Sequence, residues 1–430
     1  MTLSHSMTAT TFKNQMKNTL VFIYNSFNDP LFQNLMLSYI REVAKENVGE
    51  FHLVTFEQER YRHNSHSMTQ SHSMTTRQLQ KKLQESNIYW HPLTFHTGRF
   101  LLLKKAWDLL TGFLLVSWLR IKHRTRIIFC FANVAASFGL IFSKIFRMKL
   151  MVYSYEPHSE FMADLGYWSR SGLKYRLLNW LEWQAGLSAD VIMTGTQHMV
   201  DELTRRKSKA QLYRAPTAVD PADFKFNSDD RKRIRSALGL SNEIPVFIYV
   251  GKFGGLYYQE EIPKLFAGIK QHIPNAYFVV ITSNEREEIR TMFAQSLHKQ
   301  AFSITGDLSY DELKAYLSAA DFGISGVPPS PSQKYRSPTK VAEYMLMGLP
   351  YITTMGVSED DEVAEKEHVG AVLSTFSEKP TKEFYESLQK LLAEPKDQLR
   401  TRVRQVGLTY RSRDRIVEIF KGIYLNTDNE

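Results

Sequence analysis

Residues 337–350, SPTKVAEYMLMGLP, decide how the second half of the chain is read. They have the marks of a helix. Ser337 can cap its start, Pro338 suits the first helical position, and Gly348 followed by Pro350 ends it. Two charges are out of place. Lys340 sits in the first turn, where the backbone already presents about half a positive charge. Glu343 is surrounded by Val341, Ala342, Tyr344, Met345, Leu346 and Met347, the pattern of a buried helix. A lysine at such an N-terminus asks for an anion. A carboxylate one turn deeper, on the same face, asks for a hydrogen-bond donor to hold.

The surroundings of this helix alternate strand and helix. Before it come IPVFIYVG (244–251), the glycine-rich loop GKFGG (251–255), a helix over 257–271, YFVVIT (277–282), a helix over 284–296 and FSITG (302–306). SYDE (309–312) forms a capping box, and FGISG (322–326) is the next strand. PYITT (350–354) follows the helix. The N-terminal half repeats the scheme, with strands at 19–27, 51–56, 88–95, 126–131, 150–155 and 190–195. This predicts two doubly wound α/β domains, Rossmann-like, facing each other across a cleft. The N-terminal domain is expected at 1–215 and the C-terminal domain at 216–405. The stretch 211–230 is expected to link them, and a last helix within 406–430 to turn back toward the first domain. A polar insert at about 60–80 carries SHSMTQSHSMT (65–75), and SHSMT occurs again at 4–8. His5, His66 and His72 make a conceivable ligand array, but low-complexity polar chain is the simpler reading.

Composition narrows the classes. The single cysteine, Cys130, excludes an internal disulfide and a cysteine-based zinc site, and fits a reducing compartment. No basic segment followed by an apolar run marks a signal peptide at the start. The net charge of +9 is uneven: residues 1–215 hold 27 Lys+Arg against 15 Asp+Glu, and the rest hold 27 against 30. The basic half therefore suits an anionic partner. Residues 100–126 combine an apolar helix, including Trp107 and Trp118, with Lys104, Lys105, Arg120, Lys122, Arg124 and Arg126 against only Asp108. Such a helix can lie on an anionic membrane, or simply bury its apolar face in a core. No nucleic-acid module or basic-aromatic stripe is evident.

Glycines in a strand-to-helix turn let backbone amides approach a phosphate, and Lys252 adds charge there. The loop lacks the spacing of a Walker motif. Two helix N-termini, each with a lysine, can converge on one diphosphate, with Glu343 accepting from ribose hydroxyls. The alternative from the same residues is that Glu343 only pairs with Lys340 or Arg336. At an N-domain strand end, Glu156, His158 and Glu160 are clustered titratable groups.

These residues carry a resemblance. FIYVGKFGGLYYQEEI (247–262), GDLSYDELKAYLSAADFGIS (306–325) and SPTKVAEYMLMGLPYITTMGVSEDDEVAEKEHVGAVL (337–373) are similar to the C-terminal domain of family-4 glycosyltransferases of the GT-B fold. KLMVYSYEPH (149–158) and SADVIMTGTQHMVDEL (188–203) resemble the N-terminal domain more loosely. The resemblance implies a hexosyltransferase that retains the anomeric configuration. It implies a UDP- or GDP-linked sugar as donor, and a saccharide or polyprenyl-lipid-linked saccharide as acceptor in cell-surface polysaccharide synthesis. It gives Glu343 the ribose. It gives Gly251, Lys252, Gly254, Gly255, Ser337, Thr339 and Lys340 the diphosphate side, and Gly306 the loop around the base. It points to His158, with Glu156, near the transferred sugar. Two positions depart from the pattern: Tyr335 replaces a glutamate and Tyr257 a lysine. No Asp-x-Asp motif is present, so no metal or other cofactor is expected. The acidic run 359–362 reads as a solvated loop. A cytoplasmic enzyme, at the inner face of a membrane, is the expectation. A sugar-nucleotide epimerase of the same fold, an inactive binding protein and a nucleic-acid binder are the rivals.

Overall fold

The computed structural model describes residues 18–58, 76–154 and 156–426. The SHSMT repeats, with His5, His66 and His72, lie outside the described residues. Two wholly parallel sheets organise the chain. The first runs in the order β3-β2-β1-β4-β5-β6-β7. Its strands are β1 (Thr19–Ile23), β2 (Phe51–Glu57), β3 (Ile88–Thr94), β4 (Ile127–Phe131), β5 (Lys149–Tyr153), β6 (Val191–Thr194) and β7 (Gln211–Arg214). The second runs β10-β9-β8-β11-β12-β13. It holds β8 (Val246–Val250), β9 (Tyr277–Ile281), β10 (Phe302–Thr305), β11 (Phe322–Ile324), β12 (Tyr351–Thr354) and β13 (Gly370–Leu373).

The central strands are buried on both faces, as β1, β4 and β8 show along their whole length. Helices on both sides of each sheet require this, and it explains why these strands read as continuous apolar runs. In each sheet the strand order reverses beside the first strand, between β1 and β4 and between β8 and β11. Ligands in such sheets sit beyond the carboxyl ends of the strands at this reversal.

Two expectations need correcting. The stretch 211–230 is not all linker, because 211–214 form the edge strand β7 and Ser228–Ala237 is a helix. The helix expected over 257–271 is Glu261–His272. Gly254 and Gly255 adopt positive φ, and a turn closed by Tyr257 N–H on Gly254 C=O uses up the intervening residues.

The helix Lys396–Tyr410 packs on the helix Thr339–Leu346, where Gly407 is essential: a Cβ there would lie 2.8 Å from the Met345 Cβ. The last helix, Arg413–Asn426, returns to the first domain. Its Phe420 sits 5.0 Å from Tyr39, 5.3 Å from Tyr153 and 5.5 Å from Phe129, ring centre to ring centre. The chain thus passes between domains twice, and the two passages touch: Val219 bridges Ser412 in parallel register.

Candidate active site

The helix Thr339–Leu346 ends as its sequence dictates. Gly348 takes φ +68°, Leu349 N–H donates to Tyr344 C=O, and Gly348 N–H to Met345 C=O. This is a Schellman ending, which satisfies the last carbonyls. Its start differs from expectation. No side chain caps it. Ser337 faces the other way: its hydroxyl accepts from Thr217 N–H at 3.0 Å and from the Arg411 guanidinium, and Thr217 Oγ1 donates to its carbonyl at 2.6 Å. The first amides of the helix are therefore left for another partner.

That N-terminus opens into a cavity of roughly 310 Å³ between the domains. The C-terminal domain contributes Tyr249, Tyr257, Ser325, Arg336, Thr339 and Lys340; the N-terminal domain contributes Leu31, Phe131, Ser154 and Glu156. Phe131, Ser154, Tyr249 and Ser325 lie at the carboxyl ends of β4, β5, β8 and β11, at or beside the reversal of strand order. Glu343 is buried one turn below. Its two oxygens accept from Lys340 Nζ at 3.1 and 2.8 Å. The pairing considered from the sequence is thus present, and Lys340 carries it to the cavity wall.

The other expected residues are more spread out. Gly251 closes β8, and a Cβ there would meet the Tyr249 hydroxyl at 3.2 Å. Lys252 is exposed, Gly254 and Gly255 form the following turn, and Gly306 closes β10, two strands from β8. The helix Glu261–His272 begins with its own carboxylate, Glu261, accepting from Gln259 N–H at 3.0 Å. Tyr257, at the lysine position of the family pattern, lines the cavity. Tyr335 instead packs against the core of the first domain.

On the opposite wall, Glu156 stands 3.8 Å from Arg336. Burial pushes its carboxyl up to about 6, against the pull of Arg336, although 27% of its side chain reaches the cleft. Arg336 also lies over the Phe161 ring at 4.1 Å. His158 opens the helix His158–Asp164 and does not line the cavity. Its ring meets Trp168 edge-on at 5.6 Å. Burial, with the charges of Lys174 and Arg336, lowers its pKa and so favours the neutral ring.

The acidic run 359–362 is not a solvated loop. Asp360 is buried and bonded to Arg411, and Glu359 accepts from Arg214 at 2.5 Å across the domain boundary. Only Glu362 is exposed. Sequence reasoning also missed Thr217, Arg411 and Glu182. Glu182 anchors the His158 helix: it accepts from Ser159 N–H at 3.1 Å and from its hydroxyl at 2.5 Å. Burial pushes Glu182 up to about 7, against these bonds. A raised carboxyl favours the fold below its unfolded value near 4.5, and that advantage is lost as pH rises through 7. Glu182→Gln is therefore expected to stabilise the fold at pH 8, by on the order of 3 kcal/mol, and to change little at pH 4. Equal effects at both pH values would count against this.

Residues 230–407 match the family described as Glycosyl transferases group 1. No curated protein matches the sequence. Among solved structures, the chain is similar to sucrose-phosphate synthase from Thermosynechococcus elongatus, with 16% identity, TM-score 0.66, and 96% of this chain and 99% of that one covered. It is similar to HepE of Anabaena in complex with UDP, with 12% identity, TM-score 0.64, and 95% and 99% covered. A HepE complex with UDP-glucose is also similar, at 14% identity, TM-score 0.63, and 95% and 99% covered. WaaG, a glycosyltransferase involved in lipopolysaccharide biosynthesis, aligns with 13% identity, TM-score 0.61, and 95% and 100% covered. The architecture is that of the GT-B glycosyltransferases. The match to the glycosyl transferases group 1 family lies within the C-terminal domain, and the two-domain fold of the whole chain is the one these structures share.

Proposed function

We propose that this enzyme transfers a hexose from a nucleoside-diphosphate sugar, with retention, to a lipid-linked saccharide at a membrane surface, in the synthesis of a cell-surface polysaccharide. The observation that carries the donor reading is the uncapped N-terminus of Thr339–Leu346, opening into the interdomain cavity above the buried Glu343. Diphosphate oxygens would take the Thr339 and Lys340 amides, with Lys340 and Lys252 adding charge, and the ribose hydroxyls would donate to Glu343. Lys340 would exchange Glu343 for phosphate as the donor binds. The HepE complexes favour UDP among the bases.

In the reaction the bond from the anomeric carbon to the diphosphate breaks, and the diphosphate leaves with the electron pair. Its growing charge meets dipoles and lysines already in place, which need no reorganisation. The acceptor hydroxyl bonds to the anomeric carbon on the same face and gives its proton to the departing phosphate. Glu156 and Arg336 would position the sugar from the opposite wall. No metal is assigned to this step. The test is thermal unfolding with UDP, GDP, ADP and CMP. A midpoint rise with one nucleoside diphosphate supports the reading, and no rise with any of them overturns it.

The acceptor side rests on a different surface. No helix among the described residues is long and apolar enough to cross a membrane. The helix Leu101–Lys122 buries Asp108, which takes bonds from Tyr24 at 2.7 Å, His96 at 2.5 Å and Lys105 at 3.2 Å, so Lys105 is engaged inward. Its other side leaves Leu103, Trp107, Leu110, Leu114, Trp118 and Ile121 exposed, a continuous apolar stripe at helical spacing. On the same side of the sheet, the helix Leu173–Ser188 exposes Leu177 and Trp180. Lys122, Arg124, Lys144 and Arg176 are exposed around these apolar residues. Apolar side chains bordered by cations match the interface of an anionic bilayer. The protein is expected to sediment with vesicles containing anionic lipid, and Trp107→Ser with Trp118→Ser to weaken this at least tenfold. Equal binding to neutral vesicles, or no loss in the double variant, would refute the membrane assignment.

A further inference from the structure

At the opposite end of the first sheet from the cleft lies a second cluster of polar groups. Glu50 immediately precedes β2, His52 is its second residue, and His123 follows the helix Leu101–Lys122. One carboxylate oxygen, Glu50 Oε2, is 3.1 Å from His52 Nε2 and 3.2 Å from His123 Nδ1. All three ligand-capable atoms lie within 4.8 Å of one another. Behind them, His52 Nδ1 is 3.3 Å from His91 Nε2 on β3. Asn18 ties the two outer segments together: its amide donates to His123 C=O at 2.8 Å, and its Oδ1 accepts from Glu50 N–H at 3.0 Å. Tyr89 stacks on the buried His52 ring at 5.2 Å, which fixes its plane.

We propose that Glu50, His52 and His123 bind one divalent transition-metal cation of the zinc type. A tetrahedral zinc with ligands near 2.05 Å has ligand-to-ligand edges of about 3.3 Å. Two edges of the cluster already have that length, and a turn of the partly exposed His123 ring closes the third. The chemistry of the set also fits. Two imidazoles and a carboxylate are ordinary zinc ligands, with the fourth position open to water. His91 supplies what such a site needs behind it: an acceptor for the Nδ1–H of His52, which fixes the tautomer that aims Nε2 at the ion. Without the ion the same atoms form a closed hydrogen-bonded set, with His52 and His123 donating to Glu50. The cluster therefore has two self-consistent proton arrangements, one for each state. The ion would fasten the end of the Leu101–Lys122 helix, and so the exposed Trp118, to the edge of the sheet.

The test uses the full chain, freed of metal with a chelator, dialysed and titrated with Co²⁺ and Zn²⁺. The expected result is one equivalent of Co²⁺ bound, with the intense visible absorption of a tetrahedral site, displaced by Zn²⁺. Glu50→Gln and His123→Ala, both at partly exposed positions, should each remove the band and lower affinity at least a hundredfold while leaving nucleotide binding intact. Two results would overturn the proposal. One is no stoichiometric binding by the unaltered chain, which leaves only a hydrogen-bonded histidine cluster. The other is binding that survives in both variants, which would place the ion elsewhere, as on His5, His66 and His72.

Discussion

Glu343→Ala is expected to abolish the nucleotide-dependent rise in the unfolding midpoint, and with it turnover. The carboxylate is buried one helical turn behind the cavity wall, paired with Lys340, which lines the cavity. Hydrogen bonds to a charged acceptor contribute about 1.5–3 kcal/mol each, so losing two ribose contacts weakens the donor by a hundredfold or more. A ligand at about a hundred times its dissociation constant stabilises by roughly 2.7 kcal/mol; at a hundredfold weaker affinity the same concentration gives about 0.4 kcal/mol. The difference is easily read in a melting curve. Glu343→Gln keeps the shape and an acceptor oxygen but loses the charge, and should fall between the two. A full midpoint rise in Glu343→Ala would show that this carboxylate does not hold the nucleotide.

Arg411→Ala is expected to produce the largest loss of stability among these variants. Arg411 is 1% exposed, yet it belongs to neither core. Its guanidinium bonds to Asp360 and Ser337 of the second domain and to the carbonyl of Thr217 in the crossing segment. Removing one member of a buried ion pair costs about 3–5 kcal/mol, because the other is left without compensation. Asp360 sharpens the test. Burial already raises its pKa, with Arg411 opposing. Without that guanidinium the carboxyl would hold a proton more readily, and protonation relieves part of the penalty. The destabilisation should therefore be smaller at pH 5 than at pH 8. A loss below about 1 kcal/mol, within the range of exposed pairs, would rule out this role.

The fold was legible because parallel strands covered on both faces read as continuous apolar runs. β1, β4 and β8 are unmistakable for that reason. β7 was not, because it is a short edge strand, half exposed, and looks like the turn-rich sequence that follows it. The C-terminus of the Thr339–Leu346 helix was legible, since Gly348 fixes it locally. Its N-terminus was half legible. Lys340 and Glu343 stood out, but Ser337 was assigned a cap by its position, whereas two partners distant in sequence, Thr217 and Arg411, claim its hydroxyl. Glu359 and Asp360 failed for the same reason: a run of acids looks solvated until arginines distant in sequence, Arg214 and Arg411, are folded onto it. Local patterns report elements and their ends. They do not report which buried polar groups meet across a domain boundary.

The two adjoining crossings at Val219 and Ser412 also bear on motion. Two segments of chain that touch and run parallel there would serve as a single hinge line, about which any swing of the domains would turn. With Ser337 bonded to Thr217 beside this line, the donor helix begins almost on the axis. Swinging the domains would then displace the parts of the cleft farthest from that line more than the diphosphate end. The donor could stay seated while the mouth opens to exchange acceptors.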